Sequence, residues 1–206
     1  EIAQCLVGSE MCIRDSIGAG ALAAVGSAYT LMVFLISVLL GLAMGSGTVF
    51  SLHYGAGNYV ALRRSIFSSF VLIGIVTLIL NVAVFIWLGP ILRLLQVPQD
   101  IYGMMHSYLW IIFCGIVFTF IYNFYASLLR AVGDSVTPLW FLAVSVVLNI
   151  ALDLFFILQL DWGIQGAAAA TVLAQGVAAL GIIIYTYRRR PELRLSLIHI
   201  SEPTRH

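Results

Sequence analysis

Long apolar stretches without charge divide this sequence into its elements. No charged residue lies between Arg64 and Arg93, between Asp100 and Arg130, or between Asp161 and Arg188. Each interval is long enough for a helix of about 20 residues to cross about 30 Å of hydrocarbon. A fourth run, residues 138–160, opens on a proline in its first turn and is interrupted only by Asp153. A first run covers residues 28–52. None of them alternates apolar and polar positions with period two, and each is about twice the length of a barrel strand, which excludes a membrane β-barrel. The pattern therefore predicts five membrane-spanning helices, at residues 28–52, 65–87, 103–128, 138–160 and 163–187. The connections carry turn residues: Gly55-Ala56-Gly57-Asn58, then Gly89-Pro90 with Pro98, then Gly133-Asp134, then Asp161-Trp162-Gly163.

Composition agrees with that reading. The 206 residues are 62% hydrophobic and 9% charged, against roughly half and a quarter in soluble domains, and the mean hydropathy is +1.05. A soluble domain is excluded, and the expected fold class is an all-α polytopic membrane protein with the lipid bilayer as its surroundings. A net charge of +1 and the absence of Lys leave no basic field for nucleic acid. Three cysteines without paired spacing or nearby His support neither a disulfide framework nor a zinc site, and Cys114, inside an apolar run, reads as a small packing residue.

Arginine placement orients the bundle. With five spans, Arg63, Arg64, Arg130, Arg188, Arg189, Arg190 and Arg194 share one side and only Arg93 stands on the other, so the first side is expected to be cytoplasmic. The chain would then enter from outside with no signal sequence, and at least one upstream span is expected.

The flanks have a different character. Back-translation of residues 6–16 (LVGSEMCIRDS) allows a DNA string whose reverse complement encodes residues 195–205 (LSLIHISEPTR). Opposite strands of one short DNA at both ends of an insert are what a ligated transposon-type adapter would leave. Residues 1–16 and 195–206 are therefore expected to be translated adapter, and residues 17–194 an internal piece of a reading frame, a partial six-helix lobe.

Among intramembrane polar residues Asp153 stands out. A carboxylate deep in a span costs roughly 2.5–3.5 kcal/mol on insertion scales and is usually kept for function. It lies seven residues before Leu160, about 10 Å below the outer surface at 1.5 Å per residue, too deep for a short side chain to reach the headgroups. Asn149 is one helical turn away on the same face, a pairing suited to ion coordination or a proton relay. Thr171 and Gln175, again four apart, fall at matching depth on the following antiparallel helix; ordinary interhelical hydrogen bonding explains that pair equally well. Gln175, Asn123 and Asn81, with His106, are candidates for lining a cavity. Gly41-x-x-x-Gly45 reads as a close helix-packing face.

Five landmarks occur in order: Gly20-Ala-Leu-Ala-Ala-Val-Gly26; Gly55-Ala-Gly57; Leu128-Leu-Arg-Ala-Val-Gly-Asp134 with Thr137-Pro138; Leu148-Asn-Ile-Ala-Leu-Asp153; and Gly163-Ile-Gln-Gly-Ala-Ala-Ala-Ala-Thr171 with Ala174-Gln175. Together they resemble the multidrug and toxic compound extrusion (MATE) family. The resemblance implies a twelve-helix, two-lobe secondary antiporter of the prokaryotic inner (plasma) membrane, with this chain supplying helices two to six of the first lobe. It implies export of lipophilic or cationic small molecules against H+ or Na+, with no cofactor and no catalytic residue. It also implies a cation-coupling site at Asp153, Asn149 and Thr171, completed by an acid on an upstream helix, with the C-terminal lobe of the same protein as the remaining partner. A lipid-linked sugar flippase of the same superfamily would be expected to line its cavity with several Arg, whereas here the Arg lie at the rim. A phospholipid head-group transferase would need clustered acids at the cytoplasmic side, where Asp153 is not.

Overall fold

The computed structural model describes residues 32–94, 99–160, 162–190 and Leu193. The two flanks, the Gly20 to Gly26 landmark, Pro98 and Asp161 lie outside the described residues. Among the described residues there are five α-helices: α1, described over Met32–Gly55, then α2 Tyr59–Leu94, α3 Gln99–Ala131, α4 Val136–Leu158 and α5 Gly163–Arg189. All five are long and apolar enough to cross a membrane, and the chain is an all-helical, multi-pass membrane protein.

The turns form for identifiable reasons. After α1, Gly57 adopts φ +68°, and the Asn58 side chain accepts the Ala61 N–H at 3.0 Å, capping the start of α2. After α3, Gly133 adopts φ +87°. Its N–H reaches Arg130 O and that of Asp134 reaches Leu129 O, closing the helix with the paired bonds of a glycine C-cap.

The helices overrun the predicted spans. α2 has 36 residues and α3 has 33, about 54 Å and 50 Å at 1.5 Å per residue, so their ends project well past a hydrocarbon layer of about 30 Å. Gly89-Pro90 does not end α2; the helix continues through Pro90 to Leu94. Proline deprives the Ile86 carbonyl of its usual donor. Beside Trp87 and Arg93, near the end of so long a helix, water can satisfy that carbonyl.

α3 is the central helix. Leu109, Phe113, Ile116, Phe120, Phe124, Leu128 and Leu129 are buried on it. α2 and α5 pack against α3, and α4 packs chiefly on α5. Phe50 of α1, Phe70 of α2 and Phe120 and Phe124 of α3 stack together in the arginine-rich half.

Two small-residue positions take no part in the packing among the described helices. Gly41 and Gly45 are exposed with open space beside them, and the close contact of α1 is made by Gly47, which meets the Ser127 side chain. Ser127 Oγ donates to Ala43 O at 2.7 Å. The buried stripe of α1 runs through Leu35, Leu39, Ala43, Gly47 and Phe50. Gly41 and Gly45 are each two residues from Ala43, hence about 200° around the helix from it. Cys114 is exposed rather than packed, because its neighbours Phe113 and Gly115 take the inward positions.

Candidate functional site

Lipid tails give apolar helices little reason to prefer one another, so close contact rests on small residues and polar bonds. α5 supplies both. Ala168, Ala170, Ala174 and Ala178 are buried along it. Gly181 lies against the Phe141 ring and Gly166 against Phe156 and Trp162, where a Cβ would collide. Gly115 of α3 likewise receives Val172 of α5.

Midway along the α4–α5 contact the apolar packing gives way to a polar pair. Asn149 Nδ2 donates to Thr171 Oγ1 at 3.3 Å, and that hydroxyl donates to the Ala167 carbonyl at 3.0 Å. The depth match expected from the sequence is thus realised as a direct contact. One turn along α4 from Asn149, Asp153 is half-buried. Among the described residues its Oδ1 is buried without a hydrogen-bond partner. An unsatisfied buried acceptor costs about 1–3 kcal/mol, so this oxygen marks a position suited to a proton or a cation.

Thr171 also lines a cavity of about 40 Å³ between α1, α3 and α5, together with Thr119, Gln175, Phe113 and, from α1, Met32 and Ile36. That space exceeds the roughly 10–15 Å³ needed by one water. Thr119 Oγ1 donates to Gln175 Oε1 and ties α3 to α5 at the cavity wall. The polar groups therefore run from Asp153 and Asn149 on α4, through Thr171 and Gln175 on α5, to Thr119 on α3. A larger groove of about 450 Å³ along Leu78, Val82, Ile86 and Trp87 of α2 is apolar throughout and offers no chemistry.

Of the remaining sequence candidates, Asn123 donates to the Thr119 carbonyl at 2.8 Å, one turn away on α3. Asn81 is buried elsewhere, donating to the Phe113 carbonyl at 2.7 Å, and joins α2 to α3 rather than lining this cavity. His106 stacks on Tyr102 with ring centres 6.2 Å apart. Thr119 escaped the sequence reading because it sits alone among aromatic residues. The signal was present nonetheless, since Thr119 and Asn123 repeat the four-residue spacing of Asn149/Asp153 and Thr171/Gln175.

The Asp153 carboxylate, the Asn149 carbonyl oxygen and the Thr171 hydroxyl give an all-oxygen donor set on two adjacent helices, the type that hard cations prefer. With Asn149 turning its amide N–H toward Thr171, its Oδ1 is left as an acceptor.

Comparison with known proteins gives concordant matches. The family model described as MatE matches residues 11–155. The Bacillus subtilis (strain 168) protein named "Probable multidrug resistance protein YpnP" is 36% identical over 178 residues, covering 86% of this chain and 40% of that protein. Two solved structures share the fold at 23% identity and a TM-score of 0.81: an inward-facing and an outward-facing conformation of a multidrug resistance MATE family transporter. They cover 91% and 92% of this chain, and the chain covers 43% and 42% of theirs. The chain thus spans about two-fifths of the length of the proteins it matches.

Proposed function

Because the chain belongs to the MatE family, we propose that it forms most of one lobe of a secondary antiporter exporting lipophilic or cationic compounds in exchange for H+ or Na+. Asp153, Asn149 and Thr171 are the coupling site in this reading. The observation that carries it is the orphaned Asp153 Oδ1 one turn from the Asn149–Thr171 contact. Asp153 exchanges a proton or cation, while Asn149 and Thr171 hold the alternative ligands or hydrogen bonds in place. Substrate occupies the cleft completed by the rest of the protein, as in carriers whose sites form between repeats. Gln175 and Asn123 contribute polar groups toward that cleft.

The arginine-rich end, with Arg130 closing α3 and Arg188 and Arg189 closing α5, faces the cytoplasm of a prokaryotic inner membrane. The placement of Arg130, Arg188 and Arg189 at helix ends rather than within the spans favours drug export over a lipid-linked sugar flippase. Family membership sets aside the head-group transferase, since these are transporters and not enzymes.

The test is ion-driven efflux by the full-length protein. Asp153→Asn keeps size and polarity but cannot titrate, so efflux is expected to fall to background while membrane insertion persists. Wild-type efflux with unchanged dependence on the ion gradient would refute the assignment.

A further inference from the structure

Asp134 gathers more partners than a helix cap requires. Its Oδ1 accepts the Thr137 N–H at 3.1 Å, and its Oδ2 accepts the Thr137 hydroxyl at 2.9 Å. Those two bonds start α4. Oδ2 also accepts the Tyr185 hydroxyl at 3.4 Å and lies 4.0 Å from Arg190 Nη2, and both of these groups belong to the far end of α5. The side chain is well buried, at 13% exposure against 33% for Arg190. One carboxylate therefore joins the first turn of α4 to the last turn of α5. The neighbouring contacts hold the same alignment, with the Tyr185 ring edge-on to Phe141, 6.1 Å between centres, and Gly181 lying close against the same ring.

From Thr137 the helix runs twelve residues to Asn149, about 18 Å, and beyond Pro138 α4 contains neither Gly nor Pro to absorb a shift. Its outward surface is apolar and contributes no polar bond that would fix its position along α5. A shift of one residue would carry Asn149 away from Thr171. We propose that Asp134 is a positioning residue: its bonds to Thr137, Tyr185 and Arg190 clasp α4 to α5 at the arginine-rich end and fix the register that holds Asn149 against Thr171. The link from register to ion coupling rests on the function proposed above; the clasp itself does not.

The test uses the full-length protein with Cys114→Ala and the pair Asn149→Cys and Thr171→Cys, whose oxidative cross-linking reports the α4–α5 register directly. With Asp134 in place cross-linking is expected to be efficient. It should fall several-fold with Asp134→Ala, and by a smaller factor with Tyr185→Phe, which removes one bond and leaves the cap intact. Asp134→Asn keeps an acceptor oxygen and should fall between them. Unchanged cross-linking in Asp134→Ala and Tyr185→Phe overturns the clasp. A fall for Asp134→Ala with none for Tyr185→Phe also overturns it, because Asp134 is then a local cap only. In a protein retaining Asn149 and Thr171, Tyr185→Phe should raise the half-saturating ion concentration for efflux and leave the maximal rate near wild type. Weakened cross-linking with unaltered ion dependence keeps the clasp and refutes the coupling role of the Asn149–Thr171–Asp153 group.

Discussion

Asp134 and Asp153 are the same residue type near opposite ends of α4, and the fold treats them in contrary ways. Asp134 has both oxygens occupied, by a backbone N–H, two hydroxyls and an arginine. Among the described residues, Asp153 keeps one buried oxygen without a partner. A satisfied carboxylate holds geometry and has little reason to change state, whereas an unsatisfied one gains from every proton or cation that arrives. In the roles proposed for them, the difference separates an acid that fastens two helices from one available for exchange.

The contrast can be broken most directly at Asp153. Asp153→Asn is expected to remove ion-driven efflux from the full-length protein while expression and membrane insertion persist; a loss confined to expression would make Asp153 a folding residue. Next in size is Gly181→Leu. Its side chain would drive into the Phe141 ring and should part α4 from α5, seen as loss of thermal stability in detergent and weaker efflux. Asn149→Ala and Thr171→Ala should act less. One interhelical hydrogen bond in a membrane averages about 0.6 kcal/mol and reaches about 1.7, so apparent ion affinity should fall about threefold and no more than about twentyfold. Thr119→Val should be milder still, altering substrate preference more than ion dependence, which efflux of compounds differing in charge would reveal. Orientation is checked separately: cysteines introduced at Ser65 and Gln99 in a cysteine-free background are expected to react with impermeant reagents from opposite sides.

The helices were legible because lipid imposes a one-dimensional rule, an apolar run of sufficient length between charges. Helix ends were less so. Gly89-Pro90 has the letters of a turn, but α2 passes through it, and sequence alone does not say where along a long helix the hydrocarbon stops. Asn149, Asp153 and Thr171 were legible because isolated polar residues at matching depth are rare in apolar spans, and the structure joins Asn149 to Thr171. Gln175 was placed at the right depth, but its partner Thr119 lies 56 residues away on α3, a pairing fixed by helix packing that no local spacing encodes. Gly41 and Gly45, which pack against none of the described helices, show the same limit. The spacing of small residues marks a face without saying which face is turned inward, and on α1 the buried stripe passes through Gly47.

The exposed surface of α4 has a consequence for how the protein is made. Leu139, Leu142, Val146, Val147, Leu154 and Phe155 are exposed among the described helices, and a helix emerging from the ribosome meets the bilayer before its partner α5 exists. At that moment Asp153 has neither Thr171 nor any other α5 group nearby, and its transfer into lipid opposes insertion by roughly 2.5–3.5 kcal/mol. The aliphatic and aromatic residues of α4 each favour insertion by about 0.3–0.6 kcal/mol near the helix centre, and together they outweigh the acid. The apolar surface of α4 thus serves membrane integration, and its surplus allows a carboxylate to be carried into the membrane ahead of α5.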